Sequence, residues 1–114
     1  MTYRPFTVVA APYRYVERPV VKRRPCVLLT APMGPLELVW ALMITGAGKA
    51  AWPGDVAVTD IDVAGLRGPC VIRCAKVATL QSDVLTRIGQ LSDADRQAVT
   101  AAVQGLMPWP GPGH

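Results

Sequence analysis

Proline and glycine set the scale on which this chain can organise. With eleven prolines and ten glycines among 114 residues, its longest apolar run, residues 38–44, is the length of one buried strand. That is far short of the roughly 20 apolar residues that span a bilayer. Short β-branched runs between such breaks fold as strands, because Pro and Gly supply the turns and end the ladders. The first run covers 6–11 and is closed by Pro12, and a basic stretch over 13–24 without steady period reads as a long loop. Further strands are expected over 25–30, over 36–45, around Val56 and Ile61, and over 70–74 leading toward 77–80. One segment differs. Ser92 and Asp95 have capping-box spacing, and Ala94, Ala98, Val99, Ala102, Val103 and Leu106 recur on one face, which predicts a helix over about 93–106. The expected fold is therefore mainly β with some α, a small antiparallel barrel with a C-terminal helix. Residues 1–107 read as one domain, and 108–114, Pro-Trp-Pro-Gly-Pro-Gly-His, as a tail that can form neither helix nor ladder.

Composition agrees with a self-sufficient core. The chain is 51% apolar and 18% charged, and a domain of this size removes about two thirds of its unfolded surface from water. Charge is lopsided: Arg4, Arg14, Arg18, Lys22, Arg23 and Arg24 face Glu17 alone in the first 24 residues, a segment suited to a phosphate backbone or an acidic protein. Three cysteines, Cys26, Cys70 and Cys74, are an odd number, and no secretory signal precedes them. They read as reduced thiols in a cytoplasmic protein, packed as small apolar groups, with no membrane association.

The sole histidine, His114, stands at the end of the Pro/Gly tail, so Ser-His-Asp and Cys-His hydrolases, which need an oriented imidazole, are disfavoured. Cys70-x3-Cys74 with a distant Cys26 falls short of four zinc ligands, and neither a P-loop nor a dinucleotide fingerprint is present, so neither metal nor cofactor is expected. The remaining inventory is guanidinium, hydroxyl and backbone donors. Cleavage of RNA suits it, because the substrate brings its own 2′-OH nucleophile and the protein need only orient it and stabilise charge.

Val8-Val9-Ala10-Ala11-Pro12-Tyr13 followed by Lys22-Arg23-Arg24-Pro25-Cys26-Val27-Leu28-Leu29 resembles the opening of the MazF/PemK toxins of bacterial toxin–antitoxin systems. Trp52-Pro53-Gly54-Asp55-Val56, Pro69-Cys70-Val71-Ile72-Arg73, Lys76-Val77-Ala78-Thr79-Leu80 and Ile88-Gly89-Gln90-Leu91 continue the resemblance, which is closest to the PemK branch. It implies an SH3-like barrel, a homodimer, and cleavage of single-stranded RNA that a cognate antitoxin, expected to be acidic, neutralises. By position, Arg24 would meet the scissile phosphate, Thr45 would bind the phosphate or developing oxyanion, and Arg73 would act in catalysis. The expected substrate-binding set adds Tyr13, Tyr15 and Trp52 as stacking platforms, Lys22 and Arg23 as cations, Gly46 beside Thr45, and Glu17 as a candidate proton acceptor. Phe6-Thr7 stand where the family has Gly followed by an acid, Gly46 replaces a hydroxyl residue, and Ala75 replaces an aspartate that one branch carries. Two alternatives remain open at this stage: a barrel toxin that poisons a protein target such as gyrase through Trp109, and a catalytically decayed antitoxin-binding protein.

Overall fold

The computed structural model describes residues 3–14 and 21–107. Six strands, β1 (Thr7–Arg14), β2 (Val21–Leu28), β3 (Leu38–Gly46), β4 (Asp55–Ala57), β5 (Cys70–Gln81) and β6 (Thr86–Gln90), precede one helix, α1 (Asp93–Leu106). All pairings are antiparallel, in the order β4-β5-β3-β2-β1-β6.

The sheet rolls up rather than lying flat. Val8 and Leu91 from one side and Val58 and Ile72 from the other join Val27, Leu42 and Ile44 in a single buried cluster. Between β4 and β6 the gap is filled by the 58–66 segment, whose Val63 carbonyl accepts from the Gln90 amide at 3.1 Å. Gly65, at φ 73°, lies so close to the Ile88 carbonyl that no Cβ fits there. The other sheet face buries a smaller cluster of Val9, Ala11, Cys26, Leu28, Val39 and Ala41. Truncating a fully buried side chain such as Leu42 to Ala costs about 2–5 kcal/mol in such cores.

The helix forms where its capping signal places it, over Asp93–Leu106, with the Asp95 amide donating to Ser92 Oγ at 3.2 Å. Its apolar face seats Val99, Ala102, Val103 and Leu106 against the core, beside β4 and β5. The Asp95 side chain serves a tertiary contact: its carboxylate accepts from the Thr59 amide at 3.0 and 3.1 Å, the Thr59 hydroxyl at 2.8 Å and the Asp60 amide at 3.3 Å. Burial alone would raise its pKa, but these donors reverse the sign and hold it below the usual carboxylate range.

Several sequence expectations are corrected. β1 continues through Pro12, because β6 pairs only with Thr7–Ala10 and leaves the far end of β1 as an edge where a missing N–H is tolerated. Val21 to Arg24 belong to β2 rather than to a loop, and Pro25 sits inside that strand, beyond the part that pairs with β3. β5 is one strand whose pairing with β3 shifts register between Leu42 and Met43. β6 is an addition to the expected strands, since all but one of its residues are exposed and it carries no alternating apolar signal. The tail over 108–114 lies outside the described residues.

Candidate active site

Cross-strand register brings the candidate residues to one sheet face. Residues directly opposite in antiparallel strands project to the same side, as do alternate residues along a strand. Met43 of β3 is opposite Cys26 of β2 and Arg73 of β5, and Arg73 is opposite Asp55 of β4. Two residues along, in the same direction, stand Arg24 and Thr45. Arg24, Thr45, Arg73 and Asp55 therefore share a face, although 49 residues separate Arg24 from Arg73 in the chain. Arg73 and Arg24 flank β3, two strand spacings across and two residues along, about 12 Å apart, which two arginine side chains can bridge to one phosphate.

Arg73 is held firmly. It is 6% exposed, donates from Nη2 to the Ala50 carbonyl at 2.6 Å, and lays its guanidinium 4.6 Å from the centre of the Trp52 ring. Lys76 Nζ approaches the same ring at 5.8 Å. Trp52 is thus a platform for two cations, with 43% of its surface left open to solvent. The turn that presents it depends on Gly54, at φ 85°, where a Cβ would strike Leu106. It is also closed by Asp55, whose Oδ2 accepts from the Trp52 amide at 3.0 Å. The other oxygen, Asp55 Oδ1, is buried and accepts no hydrogen bond. Buried polar atoms in folded proteins are nearly always satisfied, so such an atom marks a place where something else donates.

Arg24 lines a groove of about 700 Å³ with Arg23, Pro25, Arg67 and Cys70. A family model described as PemK-like, MazF-like toxin of type II toxin–antitoxin system matches residues 4–107. The chain belongs to this toxin family. Solved structures of similar fold include an endoribonuclease in complex with its cognate antitoxin from a mycobacterial species, at 19% identity and TM-score 0.67, covering 95% of this chain and 99% of that one. The MazE–MazF complex of Deinococcus radiodurans follows at 14% identity and TM-score 0.68, covering 95% of this chain and 97% of that one. Mycobacterium tuberculosis toxin MazF-mt6 matches at 23% identity and TM-score 0.62, covering 90% of this chain and 94% of that one. A search of curated proteins found no match.

Within this toxin the remaining candidates fall into three groups. Lys22, exposed, is opposite Tyr13 and shares the alternation of Arg24, so it extends the same face. Arg23 alternates to the other side of β2 and, although it also borders the groove that Arg24 lines, its guanidinium is spent on the Ala10 carbonyl at 2.9 Å, the Val84 carbonyl at 3.3 Å and Thr86 Oγ1 at 2.7 Å, stitching β1 to β6. Thr45 is half-buried, and Gly46, which follows it at the end of β3, has open space where a side chain would stand. Tyr15 and Glu17 lie outside the described residues, as does Trp109. Sequence reasoning missed Asp55, whose relation to Arg73 exists only through the β4–β5 register. It also missed Arg67. Among the described residues no three His, Cys, Asp or Glu side chains come together as a metal site, and no helix is long and apolar enough to cross a membrane.

Proposed function

We propose that this toxin is a cytoplasmic endoribonuclease that cleaves single-stranded RNA with the substrate's own 2′-hydroxyl as nucleophile. The observation that carries the reading is the convergence of Arg24, Thr45 and Arg73 on one sheet face in a chain of this family. Arg24 and Arg73 fork onto the scissile phosphate, and the Thr45 hydroxyl donates to a phosphoryl oxygen as negative charge builds on it. Asp55, opposite Arg73 and holding one oxygen in reserve, takes the proton from the 2′-OH. The 2′-oxygen bonds to phosphorus, the bond to the 5′-oxygen breaks, and that oxygen takes a proton from water, whose hydroxide takes back the proton held by Asp55. The products are a 2′,3′-cyclic phosphate and a free 5′-hydroxyl. Trp52 orients Arg73 and offers its open surface to a base.

The toxin acts as a homodimer and is neutralised by a cognate acidic antitoxin that competes for the basic face. Its mycobacterial structural relative, an endoribonuclease, was solved in complex with its cognate antitoxin. Nothing among the comparisons favours poisoning of a protein target. The test is incubation of the purified toxin with a single-stranded RNA and with the DNA oligonucleotide of the same sequence. Cleavage of the RNA alone supports the reading, and an intact RNA, or equal cleavage of both, refutes it.

A further inference from the structure

Phe6 is held where a non-glycine residue is strained, at φ 68°. Two long-range hydrogen bonds pin it there, from its amide to the Leu28 carbonyl at 2.6 Å and from the Leu91 amide to its own carbonyl at 3.1 Å. Glycine would adopt this backbone without strain. This chain keeps a phenyl ring instead, and the guanidinium of Arg96 rests on it, 5.2 Å from its centre. One side of the ring packs against the main core cluster, which offsets the strain, and the rest of it is open to solvent.

The ring stands in a groove of about 840 Å³ whose cations are Arg4, Arg87 and Arg96. Against these three guanidiniums the groove holds one carboxylate, Asp93, paired with Arg96 at 3.6 Å. That carboxylate is 93% exposed, so solvent screens it and the groove stays cationic. A second hollow of about 430 Å³ shares Phe6 and Arg96 and continues along α1 past Gln97, Thr100 and Gln104. The trough runs from guanidinium donors into amides and hydroxyls. Apart from Phe6, its apolar lining is Pro5, Leu91 and Ala101, without the further large aromatic anchors that dominate protein interfaces. A polyanion needs none, because phosphate contacts supply its affinity.

Register ties the trough to the catalytic face. Arg87 is opposite Val9 on β1, and Ala11, two residues on, is opposite Arg24. Arg87 and Arg24 thus share a sheet face, two strand spacings across and two residues along, about 12 Å apart. We infer that the Arg4–Arg87–Arg96 groove is a second RNA site, which holds the phosphate backbone of the strand flanking the cleaved bond and so makes the toxin prefer long single strands to short ones. The inference rests on the ribonuclease reading, and it adds a site distinct from the one that performs the chemistry.

The test uses the full chain carrying Arg24→Ala, so that RNA is bound without being cut, and measures affinity for single-stranded RNAs of roughly 5 and roughly 25 nucleotides, below and above the span of a typical single-strand site. Adding Arg87→Ser and Arg96→Ser weakens binding of the long RNA about tenfold and flattens its salt dependence by about 0.7 in log–log slope for each phosphate no longer neutralised. Binding of the short RNA is unchanged, and without Arg24→Ala the double variant cleaves the short RNA at the wild-type rate. Phe6→Gly, which fits the left-handed backbone, gives the same long-strand loss in smaller degree. Equal effects on both lengths, or none on either, overturn the inference. So does a loss confined to antitoxin binding, which assigns the groove to a protein. If the wild-type protein cuts no RNA, the ribonuclease reading falls separately, while the length dependence of binding still judges the groove.

Discussion

At the start of α1, both oxygens of Asp95 are engaged, taking the Thr59 amide and hydroxyl and the Asp60 amide at 2.8 to 3.3 Å. At the Trp52 turn, Asp55 uses one oxygen to close the turn and leaves the other buried and unsatisfied, opposite Arg73. Both carboxylates lie near the same core, yet one is spent wholly on holding the helix to the 58–60 segment. The other keeps an acceptor free on the face that gathers the arginines. In the proposed mechanism the contrast separates a group that stabilises from one that reacts: saturated hydrogen-bond capacity goes with the first, and an unsatisfied acceptor in register with Arg73 with the second.

The largest effect that could break this contrast is at Asp55. Asp55→Asn preserves an acceptor for the Trp52 amide and removes the basic carboxylate. Single-turnover cleavage is expected to fall about a hundredfold or more, with the melting temperature unchanged. If the variant instead unfolds and retains its rate per folded molecule, the two carboxylates play the same part. Asp95→Ala is the converse. It leaves the buried donors of Thr59 and Asp60 unpaired, costs about 1–3 kcal/mol each in denaturant unfolding, and leaves the cleavage rate of the folded fraction intact. The pH dependence follows from the lowered pKa of Asp95. The folded state favours the charged form, so its contribution is full above the unfolded carboxylate value of about 3.9 and drains away as pH falls through the lower folded value. The stability gap between wild type and Asp95→Asn is therefore widest near neutrality and closes below about pH 4.

A smaller effect is expected at the platform. Trp52→Leu removes the surface beneath Arg73, worth about 1 kcal/mol, and lowers the cleavage rate roughly fivefold while Arg73 still donates to Ala50. The smallest prediction concerns a thiol. Burial, and secondarily the Asp55 charge, push Cys74 up to about 11, whereas burial alone pushes Cys26 up to about 12. Thiolate absorbance during an alkaline titration of Asp55→Asn should show Cys74 ionising slightly earlier and Cys26 unmoved. An unshifted Cys74 would place the Asp55 charge elsewhere.

These regions also differ in how far the sequence discloses them. The helix is readable to its ends, since Ser92 supplies the cap and Val99, Ala102, Val103 and Leu106 the apolar face. The central strand over 38–46 is equally plain, because its run is apolar almost throughout and most of it is buried. β6 is hidden by its exposed surface, and the passage of β1 through Pro12 by an edge that only the sheet order reveals. At the site, Arg24, Thr45 and Arg73 are reachable through family resemblance, but their common face depends on pairing partners dozens of residues apart. No local pattern distinguishes Arg23 from Arg24. Their alternation in β2 sends one to a structural clamp across Ala10, Val84 and Thr86 and the other to the face proposed for catalysis. Asp55 and the Phe6–Arg96 stack are likewise tertiary facts, invisible until the chain is folded.

The most direct measurement of the central claim is end-group analysis of RNA cut by the purified toxin in the presence of a chelator, alongside Arg24→Ala. The account predicts 2′,3′-cyclic phosphate and 5′-hydroxyl ends from the wild type, and a rate at least about a hundredfold lower from the variant. Products bearing 5′-phosphates, or a variant that cuts as fast as the wild type, would contradict it.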